Sequence, residues 1–313
     1  MTRLPAVAAL GGGHGLSATL SALRRLTDRI TAIVTVADDG GSSGRLREEF
    51  DCLPPGDLRM ALAALCDDDS EGRLWADVLQ SRFAGHGPLA GHAIGNLLIA
   101  GLWQKLSDPV EGLDMVGHLL GVRGRVLPMS AVPLRIEADV IGLRPDAPDE
   151  VKVVHGQAHI AKTRGHVVGV RLAPDRPPAH PAAVAALREA DFIVLGPGSW
   201  FTSVLVHLLV PELADAIVTS RAQRILVLNM VPAFETAGFS PAAHIDVLAE
   251  HAPNLRLDHV IADERFASLD GHLGPYVESL GAQLHIARLG MRDGSARHDP
   301  LLLASSLAGA MGL

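Results

Sequence analysis

The N-terminal part of the chain consists of an apolar segment, a run of glycines and a segment with helical spacing, and this order restricts the fold. Four of the five residues between Gly11 and Gly15 are glycine. The preceding LPAVAAL has the length and composition of a buried strand, and the following LSATLSALRRL places leucines on one face of a helix. Because glycine costs chain entropy, the run indicates either a sharp turn or a large group that lies against the backbone.

The glycine run has the spacing of a phosphate-binding loop. Gly13-x-Gly15-x-x-Ala18 matches the dinucleotide fingerprint, in which glycines permit the turn and the close approach of a pyrophosphate. A strand, a loop and a helix in this order present N–H groups and the positive helix end to an anion. Asp38 and Asp39 end the next apolar segment, ITAIVTVA, where a carboxylate would meet a ribose hydroxyl. A tight turn without a ligand is the alternative interpretation.

The loop after this second strand, ADDGGSSGRLREEF, combines three kinds of polar group. Its aspartates suit sugar hydroxyls or Mg²⁺, its glycines and serines offer N–H and hydroxyl groups to phosphate, and its arginines supply positive charge. A solvated Gly/Ser loop is the alternative. A third glycine turn follows FIVLG, with Gly196, Gly198 and Ser199. Loops that follow parallel strands share the carboxyl edge of a sheet, so we predict a ligand with two ends, such as a nucleotide-linked sugar.

Apolar strand segments alternate with helical segments, which predicts an α/β fold with a doubly wound, mostly parallel sheet. The strand candidates are LPAVAAL, ITAIVTVA, FIVLG, RILVLNM, LDHVIAD and QLHIARL. Near residues 131–173, short runs separated by Pro, Asp and Gly indicate antiparallel hairpins. We predict a single domain over residues 1–313, with roughly six parallel strands and a small β-rich insertion near 131–173.

Charge and composition narrow the class of protein. The net charge is −8, from 27 basic and 35 acidic residues, without a block of Lys or Arg, which argues against nucleic-acid binding. The two cysteines, Cys52 and Cys66, are expected to be free thiols. The longest apolar stretches fall short of the ~20 residues that cross a bilayer, and no signal peptide is evident. We therefore expect a cytoplasmic protein without membrane insertion.

Motifs along nearly the whole chain resemble successive signatures of the bacterial gluconeogenesis factor family. They are GGGHGLS, ITAIVTVADDGGSSGRLR, PPGDLRMALAAL, LAGHAIGNLLIAGL, RGRVLPMS, ADFIVLGPGSWFTSVLVHLLVPELADAI and RHDP. The most specific are VTVADDGGSSGRLR and PPGDLR. That family is similar in fold to the 2-phospho-L-lactate transferase of coenzyme F420 synthesis.

The resemblance implies a Rossmann-like three-layer α/β/α domain that binds nucleotide sugars such as UDP-N-acetylglucosamine. It also implies a role that links carbon metabolism to cell-wall synthesis and cell shape. A cell-wall precursor enzyme is then a candidate protein partner, and a homo-oligomer is a candidate assembly. In the resemblance, Arg297 of RHDP matches a position implicated in UDP-sugar binding, and Asp38 and Asp39 match a carboxylate pair that both families keep.

The glycine loops and the resemblance together give one predicted nucleotide- and phosphate-binding site. His92 and Asn96 are included because their spacing places both on one side of a helix. The predicted residues are Gly12, Gly13, His14, Gly15, Leu16, Ser17, Asp38, Asp39, Gly41, Ser42, Ser43, Arg45, His92, Asn96, Gly196, Gly198, Ser199, Asn229 and Arg297. Asp38 and Asp39 are also the candidate ligands of Mg²⁺.

The chain departs from the resemblance in three places. NMVPAFETAGF stands where relatives read closer to N-x-M-T-Q-P-G-E-T, so Asn229, Glu235 and Thr236 are kept but the middle of the loop is not. His14 stands where many relatives have Thr. The GDD-x-W pattern of the transferase is absent after the second strand, which argues against a deazaflavin site.

Three functions are compatible with these residues. The first is a nucleotide-sugar-binding regulatory protein, and the second is a Mg²⁺-dependent group transferase related to the 2-phospho-L-lactate enzyme. The third is an NAD(P)-binding oxidoreductase, which only the fingerprint and the acidic residue after the second strand support. Ser199 lacks the G-x-S-x-G elbow of serine hydrolases, and no general base is evident beside the loops. The sequence therefore favours binding over catalysis and identifies no catalytic residue.

Overall fold

The structure, a computed structural model, describes residues 3–313, and its regular elements follow the predicted alternation. The first half contains β1 (Val7–Gly11), α1 (Gly13–Leu23), β2 (Ile30–Val34), α2 (Gly41–Phe50), α3 (Pro55–Leu65), α4 (Ser70–Gln80), α5 (Ile94–Trp103), α6 (Pro109–Leu119) and β3 (Arg125–Pro128). An insertion follows, with β4 (Arg135–Ile141), β5 (Lys152–His155), α7 (Gln157–Ile160) and β6 (His166–Ala173).

The second half resumes the alternation. Its elements are α8 (Pro181–Glu189), β7 (Phe192–Leu195), α9 (Pro211–Thr219), β8 (Gln223–Val227), α10 (Pro241–His251), β9 (His259–Asp263), α11 (Glu264–Ala267), α12 (Leu273–Ser279), β10 (Gln283–Ala287) and α13 (Pro300–Met311). Between β7 and α9, a π-helical turn (Trp200–Val204) runs into a 3₁₀ helix (Leu205–Leu209). Asp299 caps α13 through the Leu301 and Leu302 N–H groups, and an aspartate directly before a proline is the sequence pattern of a helix start.

The central sheet has seven parallel strands in the order β10-β9-β8-β7-β1-β2-β3. Strands β1, β2 and β3 follow one another from the centre of the sheet to one edge. After the insertion, strands β7 to β10 follow one another from the centre to the other edge. Because parallel crossovers are right-handed, the two halves carry their helices on opposite faces of the sheet. The order reverses between β1 and β7, and in such sheets a crevice forms there at the carboxyl edge. The predicted doubly wound, Rossmann-like sheet is confirmed.

One strand of the sheet was not predicted. β3 forms the edge of the sheet beside β2, and it lies in RGRVLPMS, which we had not identified as a strand. It has only four residues and ends at Pro128, so neither its length nor its composition distinguishes it from a loop. The expectation of roughly six parallel strands is therefore corrected to seven among residues 3–313.

The β-rich insertion forms a separate antiparallel sheet with the order β5-β4-β6. Along β4, Ile136, Ala138 and Val140 are buried, and the residues between them are more exposed. This alternation is typical of an antiparallel sheet with one face on the core and one in water. The predicted hairpins near 131–173 are confirmed.

In the described part of the chain, residues 3–313, no single helix has the length and apolar character needed to span a membrane. The segments Trp200–Leu209 and Pro211–Thr219 have this length and apolar character only when they are taken together, and the chain bends by 83° between them.

Candidate functional site

The loops after β1 and β7 are in direct contact at the carboxyl edge of the sheet. A Cβ atom placed on Gly15 would lie 2.1 Å from the Pro197 carbonyl oxygen and 2.8 Å from the Gly198 Cα. No side chain larger than hydrogen fits at Gly15 unless the loops separate. The close approach of the two backbones explains why residue 15 is glycine. The contact also places Gly15 and Gly198 on the same edge of the sheet.

Helix α1 begins at this contact, where the Asp57 carboxylate accepts a hydrogen bond from the Gly13 N–H and leaves the next N–H groups of the first turn open. Gly12 is the N-cap residue, so the helix has no side-chain cap, and its first turn carries no acidic residue. Gly13 has a φ of +56°, a left-handed conformation that glycine adopts without strain. The first N–H groups of a helix have no partner within the helix and carry partial positive charge. This end of α1 is therefore suited to an anion.

A pocket of about 520 Å³, here called the loop pocket, opens beside the start of α1. Its walls come from α1, from the loops after β7 and β8, and from the segment before α13. One side is apolar, with Met230, Val231 and Met291 among its residues. Of the predicted residues, the structure brings together in this pocket His14, Gly15, Ser17, Gly198, Ser199, Asn229 and Arg297.

Two side chains fix the loop after β7. The Asn229 amide accepts a hydrogen bond from the Gly198 N–H at 2.9 Å and donates one to the Gly198 carbonyl at 2.8 Å. The Ser199 hydroxyl donates to Glu235 Oε1 at 2.7 Å and contacts the Thr202 hydroxyl at 2.6 Å. Burial raises the pKa of Glu235, whose other oxygen, Oε2, has no hydrogen-bond partner among residues 3–313. Asn229 and Glu235, both kept in the altered loop, thus support the pocket wall.

Arg297 lies at the entrance of the loop pocket. Its side chain is 59% exposed, and its closest carboxylate oxygen is that of Asp293 at 3.6 Å. The neighbouring His298 is buried, and this burial lowers its pKa to about 4, so it is neutral at pH 7. A weakly paired guanidinium next to an open helix N-terminus is an arrangement that can hold a diphosphate.

Asp38 and Asp39 do not act as a pair. Asp38 Oδ1 accepts from the Gly40 N–H at 2.9 Å, whereas Asp39 Oδ1 accepts from the Ala158 N–H in the insertion at 3.1 Å. Successive side chains of an extended backbone point in opposite directions, so adjacent carboxylates reach different neighbours. Within residues 3–313, the two carboxylates therefore have different hydrogen-bond partners.

The carboxylate that lies near Asp38 is Asp57, to which the sequence analysis gave no role. Asp57 is 8% exposed, and a Cβ on Gly12 would lie 2.5 Å from its Oδ2. That oxygen has no hydrogen-bond partner within residues 3–313. Burial, followed by the charge of Asp38, raises the pKa of Asp57 to about 7, and the Gly13 N–H opposes the shift. The signal in the sequence was PPGDLR, an aspartate that directly follows Pro-Pro-Gly at a helix start.

His92 and Asn96 belong to a buried hydrogen-bond network and do not line the loop pocket. His92 Nδ1 lies 2.9 Å from the Ser42 hydroxyl, which also accepts from the Asn96 amide at 3.0 Å. Asn96 in turn accepts from Arg59 Nε at 2.8 Å. The Ser43 hydroxyl accepts from the Gly56 N–H at 3.0 Å. These bonds let His92 and Asn96 hold the first turn of α2, which begins at Gly41, beside Asp57.

Three further predicted residues support loops and do not line the pocket. Leu16 is in the hydrophobic core at 1% exposure, because helical spacing turns it toward the sheet. Gly196 has a φ of +73°, and a Cβ there would lie 2.9 Å from the Val227 carbonyl oxygen, so its backbone is enclosed between strands. Arg45 donates to the carbonyl groups of Pro88 and Ala90 at 3.5 and 3.0 Å.

Among residues 3–313, no group of three or more His, Cys, Asp or Glu side chains is arranged to hold a metal ion. Mg²⁺ is often held by one or two carboxylates together with substrate phosphates. Asp38 and Asp57 fit that requirement better than the predicted pair, because Asp57 has an unpartnered oxygen and the charge of Asp38 acts on it.

A doubly wound parallel sheet with glycine loops and an open helix N-terminus at the reversal of strand order defines a Rossmann-like α/β protein. The family model described as 2-phospho-L-lactate transferase CofD matches residues 7–280. A gluconeogenesis factor family member from Mycobacterium tuberculosis is 56% identical over 97% of this chain and 89% of its own length. The gluconeogenesis factor of Listeria monocytogenes is 37% identical over 97% of this chain and 94% of its own.

Solved structures give the same result. A crystal structure of a UPF0052 family member from Bacillus halodurans superposes with a TM-score of 0.85 at 32% identity, over 98% of this chain and 99% of that one. The chain therefore belongs to the gluconeogenesis factor family, UPF0052, which shares the domain of the 2-phospho-L-lactate transferases.

Proposed function

We propose that this protein binds a nucleotide sugar of the UDP-N-acetylglucosamine type in the loop pocket and uses it as a regulatory signal. The observation that carries the proposal is the meeting of Arg297 with the uncapped start of α1 in one pocket. The diphosphate would lie against the α1 N-terminus and Arg297. The base and sugar would extend along the apolar wall and toward Ser199 and Asn229.

The test is calorimetry with UDP-N-acetylglucosamine, UDP-glucose, UDP, GDP and NAD. We expect the UDP-sugars to bind best, and Arg297→Ala to weaken them ~10- to 100-fold, the equivalent of ~1.5–3 kcal/mol for a charge-assisted bond. Arg292→Ala is the matched control, because Arg292 is exposed in the same segment but does not line the pocket. Equal affinities in both variants would contradict the assignment, and tighter binding of NAD would favour a dinucleotide protein.

The regulatory part of the proposal links carbon metabolism to cell-wall synthesis and cell shape. A protein that senses a nucleotide sugar transmits the signal through a partner, for which a cell-wall precursor enzyme is the candidate. Pull-down of such an enzyme should depend on UDP-N-acetylglucosamine and should fail with Arg297→Ala. Pull-down that is unchanged without the nucleotide sugar would contradict this role.

A group transferase is the second candidate, and Asp57 is the observation that favours it. A buried carboxyl with a pKa of about 7, next to Asp38 and beneath the glycine loop, is the kind of perturbed group found at catalytic sites. The match to the 2-phospho-L-lactate transferase family points in the same direction. In this alternative, Asp38 and Asp57 would hold Mg²⁺, which would offset the charge of the diphosphate.

A further inference from the structure

A second cavity, larger than the loop pocket, lies outside it. It has a volume of about 1050 Å³ and opens between α2 and the antiparallel insertion, and we call it the insertion cleft. The residues that line it include none of those that line the loop pocket. Of the predicted site residues only Asp39 reaches it. The proposed nucleotide-sugar function leaves this cleft unused.

Two guanidinium groups converge in the insertion cleft. Arg47 comes from α2 and Arg135 from the start of β4, and both line the cavity. Burial, followed by the charge of Arg135, lowers the pKa of Arg47, and the charges of Asp39, Asp38 and Asp51 oppose this shift. Arg47 Nη1 donates to the Leu134 carbonyl at 2.6 Å. Within residues 3–313, no carboxylate oxygen lies within 4.0 Å of either guanidinium.

Among residues 3–313, no carboxylate of the cleft forms an ion pair with Arg47 or Arg135. Glu137 is held by Arg171 at 2.8 Å and by His155 at 3.0 Å. Asp39 accepts from the Ala158 N–H. Two more carboxylates, Glu48 and Asp51, line the cleft from the exposed end of α2. Because neither guanidinium is paired with a carboxylate within 4.0 Å, both have donors for an anion between them, which would also relieve their mutual repulsion.

We propose that the insertion cleft is a second ligand site, for a phosphorylated hydroxy compound of the sugar phosphate type. The phosphate would be held between Arg47 and Arg135 by charge-assisted hydrogen bonds. Hydroxyl groups of the ligand would donate to Glu48 and Asp51. The negative groups along the rest of the cleft disfavour a ligand with charge at both ends, so one phosphate and a neutral polar remainder fit best.

Calorimetry with glucose 6-phosphate, inorganic phosphate and glucose tests this site. We expect glucose 6-phosphate to bind saturably and more tightly than either fragment. Arg135→Gln should weaken it at least tenfold, and this variant is informative because Arg135 is exposed and its guanidinium forms no ion pair within residues 3–313. Arg47→Gln should weaken it similarly, with circular dichroism as the check that the bond to Leu134 is not required for folding. Arg221→Gln, an exposed position before β8, is the matched control.

The second site and the proposed nucleotide-sugar site can fail separately. Glucose 6-phosphate should still bind to Arg297→Ala and in the presence of saturating UDP-N-acetylglucosamine. Binding lost in Arg297→Ala, or displaced by the UDP-sugar, would overturn the second site and place the phosphate in the loop pocket. No saturable binding, or an equal loss in Arg221→Gln, would also overturn it. Inorganic phosphate that binds as tightly as glucose 6-phosphate would overturn the role of the hydroxyl groups.

Discussion

The side-chain amide of Asn229 forms two hydrogen bonds with the backbone of Gly198: it accepts from the N–H group at 2.9 Å and donates to the C=O group at 2.8 Å. This pairing imitates the contact between neighbouring strands at the point where β7 and β8 have already ended. It fixes the wall of the loop pocket opposite α1. Four predictions concern this pocket and the carboxylates beside it.

Replacing Asn229 by alanine should weaken both the fold and ligand binding. Both polar groups of the Gly198 peptide would lose their partner, which we expect to lower the free energy of unfolding by ~1–3 kcal/mol. Affinity for UDP-N-acetylglucosamine should fall about tenfold, on the scale of ~1.4 kcal/mol per factor of ten. Urea denaturation and calorimetry measure the two effects. Asn254→Ala, at an exposed turn, is the control and should change stability by less than ~0.5 kcal/mol.

Gly15 and Gly101 should respond to alanine in opposite ways. At Gly15 the new Cβ would meet the Pro197 carbonyl at 2.1 Å, so the loops must separate. We expect a loss of ~1–3 kcal/mol in the free energy of unfolding and loss of ligand binding. Gly101 lies in α5 with no atom within 4 Å of the added Cβ, and alanine there should stabilise the helix by up to ~1 kcal/mol. A Gly15→Ala protein that binds UDP-N-acetylglucosamine normally would show that the loop contact is dispensable.

The contribution of Asp57 to the free energy of unfolding should fall as the pH rises from about 4 to about 7. The pKa of Asp57 is raised from 3.8 to about 7, so in this range the folded chain keeps a proton that the unfolded chain has lost. The folded state binds more protons, and its stability is therefore lost as the pH rises through the folded pKa, by up to ~1.4 kcal/mol per pH unit.

Asp57→Asn should remove this contribution. The measurement is urea denaturation at several pH values from roughly 4.5 to 8.5, a range that includes the raised pKa of Asp57. At each pH, the free energy of unfolding of the variant is compared with that of the unaltered protein. Asp149→Asn, at an exposed position, should leave the pH profile unchanged. Parallel profiles for the Asp57→Asn variant and the unaltered protein would mean that Asp57 is ionised at low pH in the folded state.

Removal of Mg²⁺ separates the binding protein from the transferase. We expect UDP-N-acetylglucosamine to bind in the presence of EDTA and to be recovered intact by chromatography. The physical reason is that Arg297 and the α1 N-terminus supply positive charge without a metal ion. Metal-dependent release of a nucleoside mono- or diphosphate, abolished by Asp38→Asn but kept by Asp39→Asn, would instead establish an enzyme. Asp39 is the matched control because its carboxylate is bonded to Ala158 in the insertion.

The sequence by itself determined the fold class, the positions of the glycine loops and the start of α13. These features depend on local order along the chain: the apolar length of a strand, the spacing of a helix face, and a capping aspartate before proline. The shared edge of Gly15 and Gly198 also followed from sequence, because right-handed crossovers place the ends of parallel strands together. The edge strand β3 escaped prediction, since four residues ending at Pro128 carry too little pattern.

Only the tertiary structure decided which side chains meet. Asp39 points to the insertion while Asp38 faces Asp57, because adjacent side chains on an extended backbone point in opposite directions. His92 and Asn96 were expected on one side of a helix, but His92 precedes α5 and only Asn96 belongs to it. The hydroxyl of Ser42, from a distant segment, brings the two side chains together. Spacing along a chain describes one element at a time, whereas hydrogen bonds and burial are set by elements that are distant in sequence and packed together in space.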